Sequence, residues 1–484
     1  MFQIQHDDLN YAWIHGEKVF LKESMDVINP ATGKPMARVP RGGKALTEQA
    51  IDAAAKAFPT WSKLPADQRA GYLLDWAERI LADQERLAWL LSTEQGKPLD
   101  EARGEIYGTT VYIRWYAEEG KRAYGEIIPA SRQGQRLMVF KEAIGVVGLI
   151  PPANFPSAIV ANKVAPALAA GCTFVLKPAE QTPLIAIALL DHLMATGIPA
   201  GVANVVTGVA EEIGATLSAD PRVRKIGFTG STEVGKILMR QAADNVKRLT
   251  LELGGNAPVV VFPDANLEKA VDAIMGNKFE NCGQVCNGIN LIYAHESIRA
   301  KLVEKLAEKV RSLKVGFGTE EGTQVGPMID PNYRDKVETL VRDAVEKGAK
   351  LVVGGNRVSD EGLQDGYFYA PTLLDEVTAD MELTKREIFG PVAPVLSFTD
   401  EAEVLARCNN TPYGLAAYVF TKDAARMFRM IDGLEVGNLA INGTSLANPQ
   451  SPFGGVKESG IGRVGGHQGL EEYMELKYVA LTLE

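Results

Sequence analysis

The chain carries 484 residues, enough for two or more domains with large cores. Its 23% charged and 46% apolar residues are ordinary for a globular protein and exclude a disordered chain. A net charge of -10 argues against a nucleic-acid groove or an anionic membrane surface as partner.

The first residues, Met1 to Asp8, lack a basic region followed by an apolar core, so no signal peptide is expected. No apolar run reaches bilayer-spanning length, and a cytoplasmic protein is the expectation. The N-terminal third reads mainly helical. Ile51, Ala54, Ala55 and Phe58 recur at helical spacing, as do Leu73, Leu74, Ala77, Ile80 and Leu81, which predicts stripes facing a core. Residues 125–142 read as a strand, a polar turn and a second strand. Short apolar strands then appear at 144–150, 173–176, 204–206 and 225–228, separated by helical segments. That alternation predicts parallel βαβ units in a doubly wound α/β sheet. A second α/β series begins near 258–262 and continues to about residue 440, and residues 478–483 form a last strand.

The four cysteines (Cys172, Cys282, Cys286 and Cys408) and five scattered histidines form no zinc, disulfide or HExxH framework, so no metal site is expected. Cys282 and Cys286 are four apart, and loop geometry decides whether they close a reversible disulfide.

Chemistry concentrates in two segments. Phe279-Glu280-Asn281-Cys282-Gly283-Gln284-Val285-Cys286 offers Cys286 among small and polar residues. Leu251-Glu252-Leu253-Gly254-Gly255-Asn256 ends an apolar run on a lone carboxylate beside a Gly-Gly pair. A thiol and a carboxylate on neighbouring elements run covalent chemistry on a carbonyl, the carboxylate activating the water that completes turnover. Taken alone, Cys286 reads as a small buried hydrophobe and Asn154, between prolines, as a turn residue. Phe228-Thr229-Gly230-Ser231-Thr232-Glu233-Val234-Gly235 follows a strand and opens a helix near Thr232. Its small residues let a phosphate approach the helix N-terminal amides, although the same pattern serves a plain strand-to-helix turn. Gly460-Ile461-Gly462-Arg463-Val464-Gly465 matches GxGxxG, but no apolar strand precedes it, so it reads as a decoy.

In this order and spacing, these segments resemble the signatures of the NAD(P)-dependent aldehyde dehydrogenase superfamily. The resemblance runs from Ile28-Asn29-Pro30-Ala31-Thr32-Gly33 to Pro452-Phe453-Gly454-Gly455-Val456-Lys457-Glu458-Ser459-Gly460. Residues 115–125 and 475–478 are similar to the succinate-semialdehyde dehydrogenase-like branch. The resemblance implies two doubly wound Rossmann-like α/β domains plus a small β oligomerisation arm. It divides the chain into a NAD-binding domain (1–124 and 143–254), a catalytic domain (255–458) and the arm (125–142 and 470–484). A homodimer or homotetramer follows from it.

By the same resemblance Cys286 attacks a small aldehyde, Asn154 and the Cys286 N–H hold the oxyanion, and Glu252 activates water against the thioester. The cofactor would be met by Ala153, Lys177, Pro178, Ala179, Glu180, Gly230, Ser231, Leu253, Glu387 and Phe389. Glu180 would accept from a ribose 2′-hydroxyl and repel a 2′-phosphate, which favours NAD over NADP. Three positions depart from the family pattern. Ala153 replaces a Trp, Leu291 an Arg, and Val464 a Glu that in some branches relays protons with a Lys matching Lys163. Positions that commonly recognise a substrate's far carboxylate appear as Asn162, Glu280 and Asn448. An acid at Glu280 should repel a dicarboxylic semialdehyde, so the expected substrate is a small neutral, hydroxylated or cationic aldehyde. The alternatives are a succinate-semialdehyde-type enzyme, a CoA-acylating dehydrogenase, in which a water-activating base such as Glu252 would be superfluous, and a non-catalytic scaffold.

Overall fold

The structure, a computed structural model, describes residues 9–483. The first eight residues, on which the no-leader expectation rests, lie outside the described residues, as does Glu484 at the end of the expected arm. No helix among the described residues is long and apolar enough to cross a membrane.

Two α/β sheets dominate, as the alternating pattern predicts. The first has eight strands. Its centre is parallel, in the order Arg248–Glu252, Val223–Thr229, Val146–Ile150, Thr173–Leu176 and Ala203–Val205. Alternate side chains enter opposite cores: Val147, Leu149, Phe174 and Leu176 face one cluster, and Val146, Val175, Ile226 and Leu251 the other. Both faces are covered, which is why these strands read as continuous apolar runs. The helix Pro156–Ala170 packs on the first of these faces through Val160, Val164 and Leu168.

The second sheet has seven strands, with Val392–Phe398, Leu291–His295, Pro258–Val261 and Ala416–Phe420 parallel at its centre. A separate three-stranded antiparallel sheet joins Glu126–Ile128, Gln135–Ala143 and Met474–Thr482.

Two features escaped the sequence reading. The N-terminal third holds four short strands before its first helix, including the hairpin of Ser24–Asn29 with Lys34–Pro40. Their hydrophobic pattern is too short for periodicity to register. The GxGxxG-like stretch contributes the edge strand Gly460–Ile461, which runs antiparallel to Arg248–Glu252 and ties the C-terminal region back to the first sheet.

Candidate active site

Cys286 is presented by a loop with strained backbone. The helix Leu267–Lys278 gives way to a 3-10 turn, Glu280–Gly283, in which Asn281, Cys282 and Gly283 have φ of 48°, 56° and 72°. Left-handed backbone at a non-glycine residue costs about 1–3 kcal/mol, so the surroundings must enforce it. The Asn281 N–H donates to Glu101 Oε2 at 2.9 Å, and its Nδ2 donates to the Asn154 carbonyl at 2.8 Å. Gln284 Oε1 accepts from the Ile329 N–H at 2.9 Å. At Gly283 a side chain would collide with the Gly390 carbonyl. Cys282 turns its thiol into the core, 3.6 Å from Met328 Sδ, and lines neither of the cavities described below. A disulfide to Cys286 would require this loop to refold. Cys286 itself is half-buried, and burial pushes its thiol up to about 12, with Glu252 and Glu387 adding to the shift. Near pH 7 the thiol is neutral and needs a base before it can attack.

Asn154 sits between the strand Val146–Ile150 and the helix Pro156–Ala170, where Pro156 occupies a first-turn position suited to its missing N–H. Its Nδ2 donates to the Gln284 carbonyl at 2.9 Å, linking it to the cysteine loop. Its own carbonyl accepts from Lys97 Nζ at 2.9 Å. Lys97 is buried, paired with Glu105 at 2.6 Å, and stands 3.9 Å from the Phe155 ring centre. Glu105 Oε1 accepts the Ser157 and Ala158 N–H groups at 2.8 and 3.1 Å, so one buried ion pair fixes the Asn154 carbonyl and the helix start that follows it. The sequence gives no sign of this, because nothing in the spacing connects residues 97 and 105 to 154.

Glu252 ends its strand, and its carbonyl accepts from the Gly230 N–H at 3.0 Å, tying it to the turn that opens the helix Thr232–Ala243. The carboxylate is 5% exposed, and neither oxygen has a hydrogen-bond partner. Burial raises its pKa above the usual carboxylate range, while Lys163 and Arg463 pull it back. Lys163 is equally buried and unpartnered, and burial lowers it.

Two cavities meet here. One, of about 310 Å³, is walled by residues including Tyr112, Phe155, Asn162, Asn277, Glu280, Asn287, Thr444 and Val464. The other, of about 700 Å³, runs past Ala153, Asn154, Lys177, Ala179, Glu180, Gly230, Ser231, Glu387 and Phe389. Thr229, Glu252, Leu253 and Cys286 line both.

The larger cleft has the parts a dinucleotide requires. Ser231 caps the helix Thr232–Ala243, its Oγ accepting from the Val234 N–H at 3.3 Å, so that helix N-terminus opens on the cleft beside Gly230. Lys177 Nζ pairs with Glu180 Oε1 at 2.7 Å at the end of the strand Thr173–Leu176. Glu387 accepts from the Gly255 N–H at 3.3 Å, and burial pushes its carboxyl up to about 7 against the pull of Lys336. Its remaining acceptor capacity suits a ribose hydroxyl.

Pro178 is buried and lines neither cavity, whereas its neighbours Lys177 and Ala179 line the larger one. Asn448 is exposed, accepts from Ser451 Oγ at 2.9 Å, and drops out of the substrate wall. Thr444 and Ser445, from a loop without motif or periodicity, take that wall instead. Tyr112, one turn before Tyr116 on the helix Leu99–Glu119, was likewise missed as a site residue.

Comparison with known proteins agrees with this arrangement. A model of the aldehyde dehydrogenase family matches residues 13–479. The chain is 47% identical over 475 residues to the NADP(+) succinate-semialdehyde dehydrogenase GabD of Escherichia coli (strain K12), covering 98% of this chain and 97% of that one. It is 49% identical over 459 residues to a 3-sulfolactaldehyde dehydrogenase of Pseudomonas putida, covering 95% and 94%. A solved aldehyde dehydrogenase from Brucella melitensis biovar abortus 2308 superposes with a TM-score of 0.97 at 46% identity, covering 100% of both chains. The chain belongs to the aldehyde dehydrogenase family, oxidoreductases that convert an aldehyde to its carboxylic acid.

Proposed function

We propose that Cys286 is the nucleophile, Glu252 the general base and Asn154 the oxyanion donor, with NAD in the larger cleft and a small neutral or hydroxylated aldehyde in the smaller cavity. The observation that carries this reading is that the two cavities share Cys286 and Glu252. Glu252 takes the Cys286 proton, and the thiolate adds to the aldehyde carbon as the carbonyl π pair moves onto oxygen. Asn154 Nδ2 and the Cys286 N–H donate to that oxygen. A dinucleotide held in the larger cleft by Lys177, Glu180, Gly230, Ser231 and Glu387 would supply the acceptor for the hydride that leaves this carbon as the carbonyl re-forms and the thioester results. Glu252, once it has given the first proton up to solvent, removes a proton from water, whose oxygen attacks the thioester and expels the Cys286 thiolate. A carboxylate facing the shared region supports water, rather than CoA, as the acyl acceptor.

Asn154→Ala lowers kcat by about a hundred- to a thousandfold with KM little changed, roughly 3–4 kcal/mol of barrier, because the donor acts on charge that develops after binding. Steady-state kinetics check this. A kcat within a few fold of wild type would remove Asn154 from the oxyanion site.

Among the described residues no Lys, Arg or His lines the substrate cavity, whose polar wall includes Asn162, Asn277, Asn287, Thr444, Ser445 and Glu280. Burial raises Glu280 above the ordinary carboxylate range, with Lys97 opposing. This wall supports a neutral polar substrate. The likeness to enzymes named for succinate semialdehyde and 3-sulfolactaldehyde favours a second reading, in which the substrate carries an anionic tail. NADH formation across neutral, hydroxylated and carboxylated aldehydes of matched length separates the two. On the first reading the neutral compounds have the higher kcat/KM, and Glu280→Gln raises kcat/KM for succinate semialdehyde by about tenfold, some 1.4 kcal/mol of relieved repulsion. Faster wild-type turnover of succinate semialdehyde than of neutral aldehydes would establish the second. Glu180 at the ribose end supports NAD, and running the panel with both dinucleotides tests that preference.

The division into 1–124 with 143–254, 255–458, and 125–142 with 470–484 is supported by the separation of the eight-, seven- and three-stranded sheets. The third sheet exposes Ile127, Phe140, Leu476, Tyr478 and Leu481, apolar surface on an open-edged sheet that supports assembly into a homodimer or homotetramer. Light scattering at micromolar concentration should give one of those masses. A monomer there would contradict the proposal.

A further inference from the structure

Thioester hydrolysis leaves Glu252 holding a proton that must reach solvent. Glu252 is buried where the substrate cavity meets the dinucleotide cleft, and Val464 on the cavity wall cannot titrate. On the strand Arg248–Glu252, Thr250 and Glu252 point to the same face, about 6.6 Å apart by the strand repeat, while Leu251 enters the opposite core. Beside Thr250 lies a polar cluster. The Lys225 ammonium donates to Thr250 Oγ1, which donates to Glu472 Oε2 at 2.8 Å, and Lys225 Nζ is itself 3.4 Å from that oxygen. Lys225 is fully buried, whereas the Glu472 side chain is 23% exposed and meets solvent. The helix Pro156–Ala170, packed on this face, carries the unpartnered Lys163. Glycines border the ground between the two carboxylates, where the Arg463 side chain also packs, its Cδ 2.7 Å from where a Cβ on Gly454 would stand. A Cβ on Gly454 would stand 2.8 Å from Glu252 Oε1 and 2.8 Å from the Gly462 carbonyl, and one on Gly462 would stand 2.8 Å from Glu472 Oε1.

We propose that Glu472 is the outlet for the proton that Glu252 takes from water, with Lys163 as carrier and the Lys225–Thr250 hydrogen bonds as the last link. This rests on Glu252 being the base. The Glu252 carboxylic O–H gives its proton to the Lys163 amine through an intervening water, since the two side chains are not in direct hydrogen-bond contact. The ammonium so formed passes one proton into the Lys225–Thr250 chain, which delivers one to the Glu472 carboxylate. Glu472 then releases it to water or a buffer base. Each transfer breaks one N–H or O–H bond and forms another, and no electrons move. Burial lowers both lysines, Lys225 to about 8, so a neutral amine is accessible near physiological pH. The other charges at the cluster are Arg463, which donates to the Gly455 and Gly462 carbonyls, and Arg248, paired with Glu475.

The test is stopped-flow NADH formation by the full enzyme carrying Glu472→Gln, with turnover expressed per burst-competent site so that misfolded protein is not counted. The expected result is a wild-type burst, unchanged KM, a kcat five- to tenfold lower, and recovery of kcat as imidazole buffer is raised. Glu472→Asp should restore most of the rate. If Glu472→Gln does not fold, Lys225→Met, which removes the group that reaches Glu472 both directly and through Thr250, should show the same buffer-dependent loss. Wild-type kcat in the testable variant, or a loss that buffer does not restore, overturns the outlet. Glu252→Gln run in parallel separates the two claims. Sustained turnover by that variant overturns the base assignment itself, whereas a stalled Glu252→Gln beside a wild-type Glu472→Gln overturns only the outlet.

Discussion

Cys286→Ala forms no NADH above background, a loss of about ten thousandfold or more, as expected when a covalent nucleophile is removed. The rest of the site survives the change. Asn154 stays tied to the Gln284 carbonyl, and the left-handed turn at Asn281 and Cys282 is held by Glu101, Asn154 and Gln284, none of which touches the Cys286 thiol. Dinucleotide binding, followed by fluorescence titration, is therefore retained and shows the variant to be folded. Cys282 cannot stand in, because its thiol is packed against Met328 in the core. Turnover by the variant above a few per cent of wild type would mean that another group attacks the aldehyde.

Glu252→Gln behaves differently. Its first turnover still yields NADH if Cys286 can lose its proton to solvent, and the enzyme then stalls as an acyl thioester, with steady-state turnover down by about a hundred- to ten-thousandfold. The working form of Glu252 is the carboxylate, and burial raises its pKa, so activity is present above that raised value and is lost as pH falls through it. The acid limb of the wild-type profile lies above the ordinary carboxylate range and belongs to the Glu252–Lys163 pair rather than to either residue alone. Deacylation followed against pH checks this. Persistence of the same limb in Glu252→Gln would assign it elsewhere.

The parts of this site that the sequence exposes are those whose chemistry is local. Cys286, Glu252, Gly230 and Glu387 sit in short motifs at strand or helix ends, where small residues and a single reactive side chain stand out. The alternation of apolar strands from Ile144 announced the first sheet because both its faces are covered and its strands are apolar throughout. What stayed hidden is non-local. Lys97 and Glu105 reach Asn154 only through the packing of the helix Leu99–Glu119 against Pro156–Ala170, and Thr444 and Ser445 come from a loop without periodicity. Pro178 lies inside the same motif as Lys177 and Ala179 yet lines neither cavity, because a motif does not say which of its residues face a cleft. Val464 and Glu472 stand a little over two helical turns apart in sequence, and the strand pairing of Gly460–Ile461 with Arg248–Glu252 and the Thr250–Glu472 hydrogen bond bring their segment beside the base.

The central claim is covalent catalysis at Cys286. Its most direct test is to mix Glu252→Gln with NAD and aldehyde, quench after the first turnover, and map the modified peptide by mass spectrometry. The account predicts one acyl group per chain, on Cys286, at a mass equal to the substrate's acid less water. No adduct despite a full NADH burst, or an adduct on any other residue, would contradict it.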